Sequence, residues 1–130
     1  MTSLNGLNNL ASISGILRIV DNPSLLNLDD LNSLSSVISL LLISNCDQLQ
    51  TIVLPFVPNT NTTVKIEEND ALQSISIGNN TQIDITTLQI LNNQSLTDIQ
   101  FTLANAPNGG GLGVTIEGNA ALTELHLFSA

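Results

Sequence analysis

Residues 17–25 read Leu-Arg-Ile-Val-Asp-Asn-Pro-Ser-Leu, and the same pattern returns four more times along the chain. The later copies occupy residues 41–49, 64–72, 88–96 and 114–122. Their central isoleucines are separated by 24, 23, 24 and 26 residues. Self-similarity at a near-constant period of this length is the signature of a solenoid, in which each repeat forms one turn. The repeat therefore decides the fold.

The repeat can be written L-x-I-x-x-N/C-x-x-L-x-x-L, with aliphatic residues at every apolar position. Because side chains alternate along a strand, the L-x-I pair predicts a short strand with both aliphatic side chains turned inward. The central positions are held by Ile19, Ile43, Ile66, Ile90 and Ile116. Stacked turns then place the five strands side by side in one parallel sheet.

A second column follows each predicted strand, at the point where the chain must bend. It consists of Asn22, Cys46, Asn69, Asn93 and Asn119. A buried asparagine amide can bond backbone groups of its own turn and of neighbouring turns. Cys46 fits this column because it is small and tolerates burial. A nucleophile or metal ligand at Cys46 would need a nearby histidine, and the single histidine, His126, lies more than three turns away. We interpret the column as a structural ladder.

The remainder of each turn changes along the chain. Apolar residues three apart in the early turns predict a tightly wound coil or a short 3₁₀ stretch; they are Leu4, Leu7, Leu10 and Ile13, then Leu28, Leu31, Leu34 and Val37. Period-two alternation in the later turns predicts strands. Proline- and glycine-rich segments at residues 55–63 and 105–113 predict loops that bulge from the stack. The predicted fold is a mainly β, right-handed parallel β-solenoid of leucine-rich-repeat type, with about five to six turns of 23–26 residues.

Residues 4–15 read Leu-Asn-Gly-Leu-Asn-Asn-Leu-Ala-Ser-Ile-Ser-Gly and lead directly into the first copy of the repeat. This segment resembles the receptor L-domain family of leucine-rich repeats, known from insulin- and growth-factor-receptor ectodomains and from bacterial surface proteins. The resemblance covers the whole chain and is close over residues 4–52. It implies a right-handed single-stranded β-helix that recognises a ligand or mediates adhesion through its sheet face or loops. The cysteines and aromatic residues of the receptor versions are missing, which disfavours hormone-like binding.

The charge of the chain restricts its partners. Only Arg18 and Lys65 are cationic against 11 carboxylates, which gives a net charge of -9. Because its cations are not clustered, the chain is not expected to bind nucleic acid or an anionic membrane surface. The asparagine-, serine- and threonine-rich polar surface is typical of an extracellular or cell-surface protein. We expect residues 1–130 to form one solenoid domain, a fragment of a longer repeat array, with no segment inserted in a membrane.

The outward side of the predicted sheet is the candidate binding face, because its residues vary from turn to turn while the inward columns do not. Its residues flank the central isoleucines: Arg18, Val20, Leu42, Ser44, Lys65, Glu67, Gln89, Leu91, Thr115 and Glu117. A mixed apolar and charged face suits a protein or glycan partner. Alternatively the face is merely solvated, and the protein is a structural spacer or a self-assembling, filament-forming repeat.

Catalysis, cofactors and metal binding are not expected from the sequence. With a single histidine in the chain, a Ser-His-Asp catalytic set is not plausible. Polysaccharide-degrading β-helices need carboxylates clustered with cations on one face, and Lys65 with its two neighbouring glutamates is the only such group in the sequence. Neighbouring acidic pairs such as Asp29-Asp30 point to opposite faces if they lie on a strand, so they do not predict a calcium site. Exposed leucines at both ends of the stack predict head-to-tail self-association, because neither end carries a polar cap.

Overall fold

The computed structural model describes residues 1–55, 62–78, 85–103 and 113–128, which are built almost entirely of short strands. The strands are β1 (Ser12–Ile13), β2 (Ile16–Val20), β3 (Ser36–Val37), β4 (Leu40–Ser44), β5 (Thr51–Leu54), β6 (Thr62–Glu67), β7 (Ser74–Ile77), β8 (Ile85–Leu91), β9 (Asp98–Leu103), β10 (Gly113–Glu117) and β11 (Glu124–Phe128). Within these ranges the helical content is one 3₁₀ turn, Asp29–Leu31.

Every strand pairs in parallel, and the strands form three sheets. The main sheet has the order β10-β8-β6-β4-β2, and the second sheet has the order β11-β9-β7-β5. The small third sheet pairs β1 with β3. Because sequence neighbours alternate between sheets while strands one repeat apart pair, the chain winds as a parallel β-solenoid, as the repeat predicts. The solenoid has about four turns, fewer than the predicted five to six, because five stacked strands of the main sheet enclose only four circuits of the chain.

The register of the main sheet follows the repeat position by position. Ile19 pairs with Ile43, Ile43 with Ile66, Ile66 with Ile90, and Ile90 with Ile116. The first four of these side chains are buried and Ile116 is partly buried. Burying one isoleucine side chain contributes about 1.5–3 kcal/mol before the entropy of ordering is subtracted. The predicted aliphatic column is therefore the centre of the core.

The two predicted styles of turn are both present. In the early turns, the backbone N–H of Leu7 bonds to Leu4 O, and the N–H groups of Leu31 and Leu34 bond three residues back in the same way. Leucines three apart thus lie on one side of a tight coil. In later turns the second sheet replaces this coil, as the period-two alternation predicts. Of the predicted loops, residues 56–61 and 105–112 lie outside the described residues. Thr62, Thr63 and Gly113, predicted to belong to these loops, instead lie in β6 and β10, because the ladder of the main sheet extends to them.

The bend after each strand of the main sheet has the same conformation in every turn. The residue before the Asn/Cys column has a positive φ of 54–69°; these residues are Asp21, Asn45, Glu68, Asn92 and Gly118. Three residues after each Asn/Cys position, the leucine N–H bonds back to the carbonyl oxygen of that position at 3.0–3.2 Å. This closed turn carries the leucine into the core, so the N/C-x-x-L spacing has a direct structural cause.

Candidate functional site

The ten residues of the predicted binding face lie on the outward side of the main sheet in two straight columns. One column runs Arg18, Leu42, Lys65, Gln89 and Thr115, and the other runs Val20, Ser44, Glu67, Leu91 and Glu117. Strands in a sheet lie about 4.8 Å apart, so each column spans roughly 19 Å. The sheet thus brings onto one continuous surface residues that are up to 99 positions apart in sequence (18 to 117).

A third outward column lies beside these two, and the sequence analysis missed it. It consists of Ile16, Leu40, Thr63, Thr87 and Gly113, paired in register across all five strands. The predicted face held only the residues that flank each central isoleucine. The same period-two rule, carried one step back along each strand, reaches these positions. The candidate face is defined below as the three columns together.

The chemistry of the candidate face changes from one end to the other. Strands β2 and β4 contribute Ile16, Val20, Leu40 and Leu42, and the Ile16 side chain is 57% exposed. Strands β6, β8 and β10 contribute mainly threonine, glutamine and glutamate, with Leu91 as the apolar exception. The face therefore has an apolar half and a polar, acidic half.

The two cations of the face differ in their surroundings. Lys65 Nζ lies 3.2 Å from Glu67 Oε1, two residues along the same strand, and both side chains are about one-third exposed or less. Alternate residues of a strand share a face, which brings these charges together. Arg18 is exposed and lies beside the apolar residues of β2 and β4, and it forms no ion pair with the described part of the chain. Arg18 is the cation best placed to meet a partner's anionic group.

Ser44 contributes almost nothing to the surface of the candidate face. Although its register is that of the outward column between Val20 and Glu67, Ser44 is only 5% exposed. A small side chain between larger neighbours is covered by them, and the repeat pattern gives no sign of this. Its role is therefore in packing rather than in contact with a partner.

The Asn/Cys column forms a continuous ladder of hydrogen bonds. In the last three asparagines of the column, the side-chain oxygen accepts the backbone N–H of the equivalent position one turn earlier: Cys46 N–H to Asn69 Oδ1 at 3.0 Å, Asn69 N–H to Asn93 Oδ1 at 3.1 Å, and Asn93 N–H to Asn119 Oδ1 at 2.9 Å. The amide nitrogens Nδ2 donate to main-chain carbonyls of the preceding turn, as from Asn69 to Ile43 O at 3.2 Å. The ladder thus satisfies backbone groups that the bend removes from the sheet.

Cys46 occupies its rung in the manner of an asparagine. Its Sγ lies 3.8 Å from Ile19 O and 3.4 Å from Ser44 O. Asn93 Nδ2 contacts the two equivalent carbonyls, one in the preceding turn and one in its own turn. Burial raises the pKa of the Cys46 thiol, a contact from the Asn22 backbone lowers it, and two nearby aspartates raise it. A buried thiol held in its neutral form is a poor nucleophile.

One shallow groove lies at the edge of the second sheet, beside β5. It encloses about 160 Å³ and is lined by Asn32, Val53, Leu54, Pro55 and Ser76. Sites for small organic ligands usually enclose about 300–1,000 Å³. The groove is too small to hold such a ligand by itself.

No protein-family model matches the chain, and neither the curated proteins nor the solved structures include a significantly similar one. In the described residues, no helix has the length and apolar character needed to cross a membrane.

Proposed function

We propose that the protein is a non-enzymatic recognition or adhesion module that acts outside the cell or at its surface and binds a protein or glycan through the candidate face. The observation that carries this proposal is the continuity of the face: three outward columns in register, with an apolar half on β2 and β4 in which Ile16 is exposed and the other aliphatic side chains are half-buried. Exposed aliphatic side chains beside a charged group favour association with a partner. The polar, cation-poor composition supports an extracellular location and disfavours nucleic acid.

A non-enzymatic role is supported by the placement of the chain's two most reactive side chains. Cys46 is buried after β4 in the main sheet, whereas His126 lies exposed on β11 in the second sheet. Nucleophilic catalysis needs a nucleophile and a base within hydrogen-bond reach. This pair belongs to different faces of the solenoid, and the proposal assigns neither of them a catalytic role.

We further propose that the solenoid is right-handed and of the receptor L-domain, leucine-rich-repeat type. Crossover connections between parallel strands of one sheet are almost always right-handed, because the twist of the strands favours that hand. The Leu-x-x-Leu coil of residues 4–15 and the asparagine ladder are the features that support the resemblance.

A glycan array and a binding assay against cell-surface extracts test the proposed face. The face variant combines Ile16→Ser, Arg18→Ala and Leu42→Ser, and the control variant carries Val53→Ser, which removes an exposed apolar side chain from the second sheet. We expect a defined glycan or protein to bind the wild type and the control variant equally. The same ligand should not bind the face variant. Binding that survives in the face variant, or that is lost equally in the control, contradicts the proposed site.

The second candidate function is a structural spacer or filament-forming repeat. It is favoured by the last turn described, where Val114 and Leu125 are 39% and 47% exposed and where β10 and β11 form the outer strands of their sheets. A second copy that stacked its first turn here could pair its β2 with β10, and its Asn22 side chain could accept the Asn119 N–H. Sedimentation velocity over a wide concentration range tests this: self-association without any ligand supports the spacer, and a monomer throughout contradicts it.

A further inference from the structure

Three potential metal ligands lie together on the outward side of the second sheet, away from the candidate face. Asp98 on β9 pairs directly with Glu124 on β11, and His126 pairs with Gln100. Because alternate residues of a strand share a face, Glu124 and His126 project to the same side as Asp98. The parallel register thus brings together three side chains that the sequence separates by up to 28 positions (98 to 126).

The spacing of the ligand atoms suits one cation. One ligand atom each from Asp98, Glu124 and His126 lies within 4.8 Å of the others, and His126 Nε2 is 3.4 Å from Glu124 Oε2. Around a tetrahedral Zn²⁺ with bonds of about 2.0–2.2 Å, neighbouring ligand atoms are roughly 3.3–3.6 Å apart. The same 3.4 Å also permits a weak direct hydrogen bond between the two groups. The imidazole and the carboxylate are therefore spaced for a shared ion at least as well as for each other.

The hydrogen bonding of Asp98 provides an independent observation. Asp98 Oδ1 is shielded from solvent and has no hydrogen-bond partner among the described residues. Its other oxygen, Oδ2, accepts a hydrogen bond from Gln100 Nε2 at 3.3 Å. A buried carboxylate oxygen without a partner is unfavourable, and a bound cation would satisfy it. Gln100 then acts as the outer group that orients a metal-ligating carboxylate.

We propose that Asp98, Glu124 and His126 form a surface site for a divalent transition-metal cation of the Zn²⁺ class. Imidazole is a ligand for zinc, copper, nickel and iron, whereas Ca²⁺ takes six to eight oxygen ligands. Three protein ligands leave at least one coordination position for water or for a donor from another molecule. The site lies on the sheet opposite to the candidate face and does not depend on the function proposed for that face.

Isothermal titration of the full chain with ZnCl₂ at neutral pH and physiological salt tests the proposal, with CaCl₂ titrated in parallel. We expect one Zn²⁺ per chain and much weaker binding of Ca²⁺. Replacing a ligand, as in His126→Gln or Asp98→Asn, lowers the affinity by more than about tenfold, and Gln100→Ala, which removes the orienting group, lowers it by about tenfold. The control is Asp70→Asn, an exposed carboxylate after β6, which leaves the affinity unchanged.

Circular dichroism establishes that each variant is folded, and His126→Gln is the decisive change because its side chain is exposed. As a second measurement, Zn²⁺ shifts the imidazole nitrogen resonances of His126 in the wild type. The proposal is overturned if folded wild type binds no Zn²⁺, or if His126→Gln binds it as tightly as wild type. It is equally overturned if Asp70→Asn weakens binding as much as Asp98→Asn does, or if Ca²⁺ binds as tightly as Zn²⁺, since either result means general attraction to an acidic surface.

Discussion

Truncating one asparagine side chain of the ladder lowers the free energy of unfolding by an amount that depends on its position in the stack. In Asn69→Ala, the backbone N–H of Cys46 loses its acceptor and the carbonyl of Ile43 loses its amide donor. Both partners belong to fully buried residues. Each buried polar group left unsatisfied costs about 1–3 kcal/mol, so the two together cost about 2–6 kcal/mol. The contact from Asn69 Nδ2 to Asn93 Oδ1 is also lost.

The matched control is the same substitution at the first rung, Asn22→Ala. Asn22 is only partly buried, and its amide donates to the carbonyl of Val20 within its own turn. Its loss therefore costs about 0.5–1.5 kcal/mol. Urea denaturation followed by circular dichroism gives both free energies of unfolding. If the two variants lose equal stability, the ladder does not stabilise the stack through buried backbone groups, and the reasoning is refuted.

Three further predictions concern the core, the bend and the thiol. Ile66→Asp places an unpaired charge in the aliphatic column and should abolish the folded circular dichroism spectrum; a cooperative melt near the wild-type temperature would contradict this. Gly118 has a φ of +69° and a Cβ there would overlap the Asn92 side chain, so Gly118→Ala should cost at least about 1–2 kcal/mol in urea unfolding, whereas Gly15→Ala, in open space without a positive φ, should be near neutral; equal costs would contradict this. Cys46 should react with iodoacetamide only as fast as the protein unfolds, because its side chain is buried away from the reagent and burial also raises the pKa of the thiol; rapid labelling of the native protein would show that the thiol is accessible.

The repeat allowed the core and the stacking to be predicted because every turn imposes the same requirement. Each turn must bury an aliphatic pair, close a bend and return a leucine to the core, so these positions repeat and can be read from the sequence. The positive φ of the residue before the asparagine column could also have been predicted from the sequence. It holds aspartate, asparagine, glutamate, asparagine and glycine, a set rich in the residue types that enter the left-handed region most readily.

Features that depend on neighbours across turns could not be read in the same way. The burial of Ser44 depends on the larger side chains beside it in the register. The contact of Asp98 with Glu124 and His126 needs the pairing of β9 with β11, which brings together residues of two successive turns. Alignment of Leu96 with Leu122 places Asp98 opposite Glu124, so this signal was present but was not used. The number of turns was overestimated because repeat copies were counted instead of the circuits between them.

The central claim is that the repeats stack in register, so that the main sheet presents one continuous outward face. Pulsed electron paramagnetic resonance on spin labels at Arg18→Cys and Thr115→Cys tests it most directly, with Cys46 replaced by the asparagine that its column holds elsewhere. Four strand spacings of about 4.8 Å predict a narrow distribution around roughly 19 Å between the two backbone positions, before the length of the labels is added. A broad distribution, or one centred far beyond this separation, would contradict the stacked face.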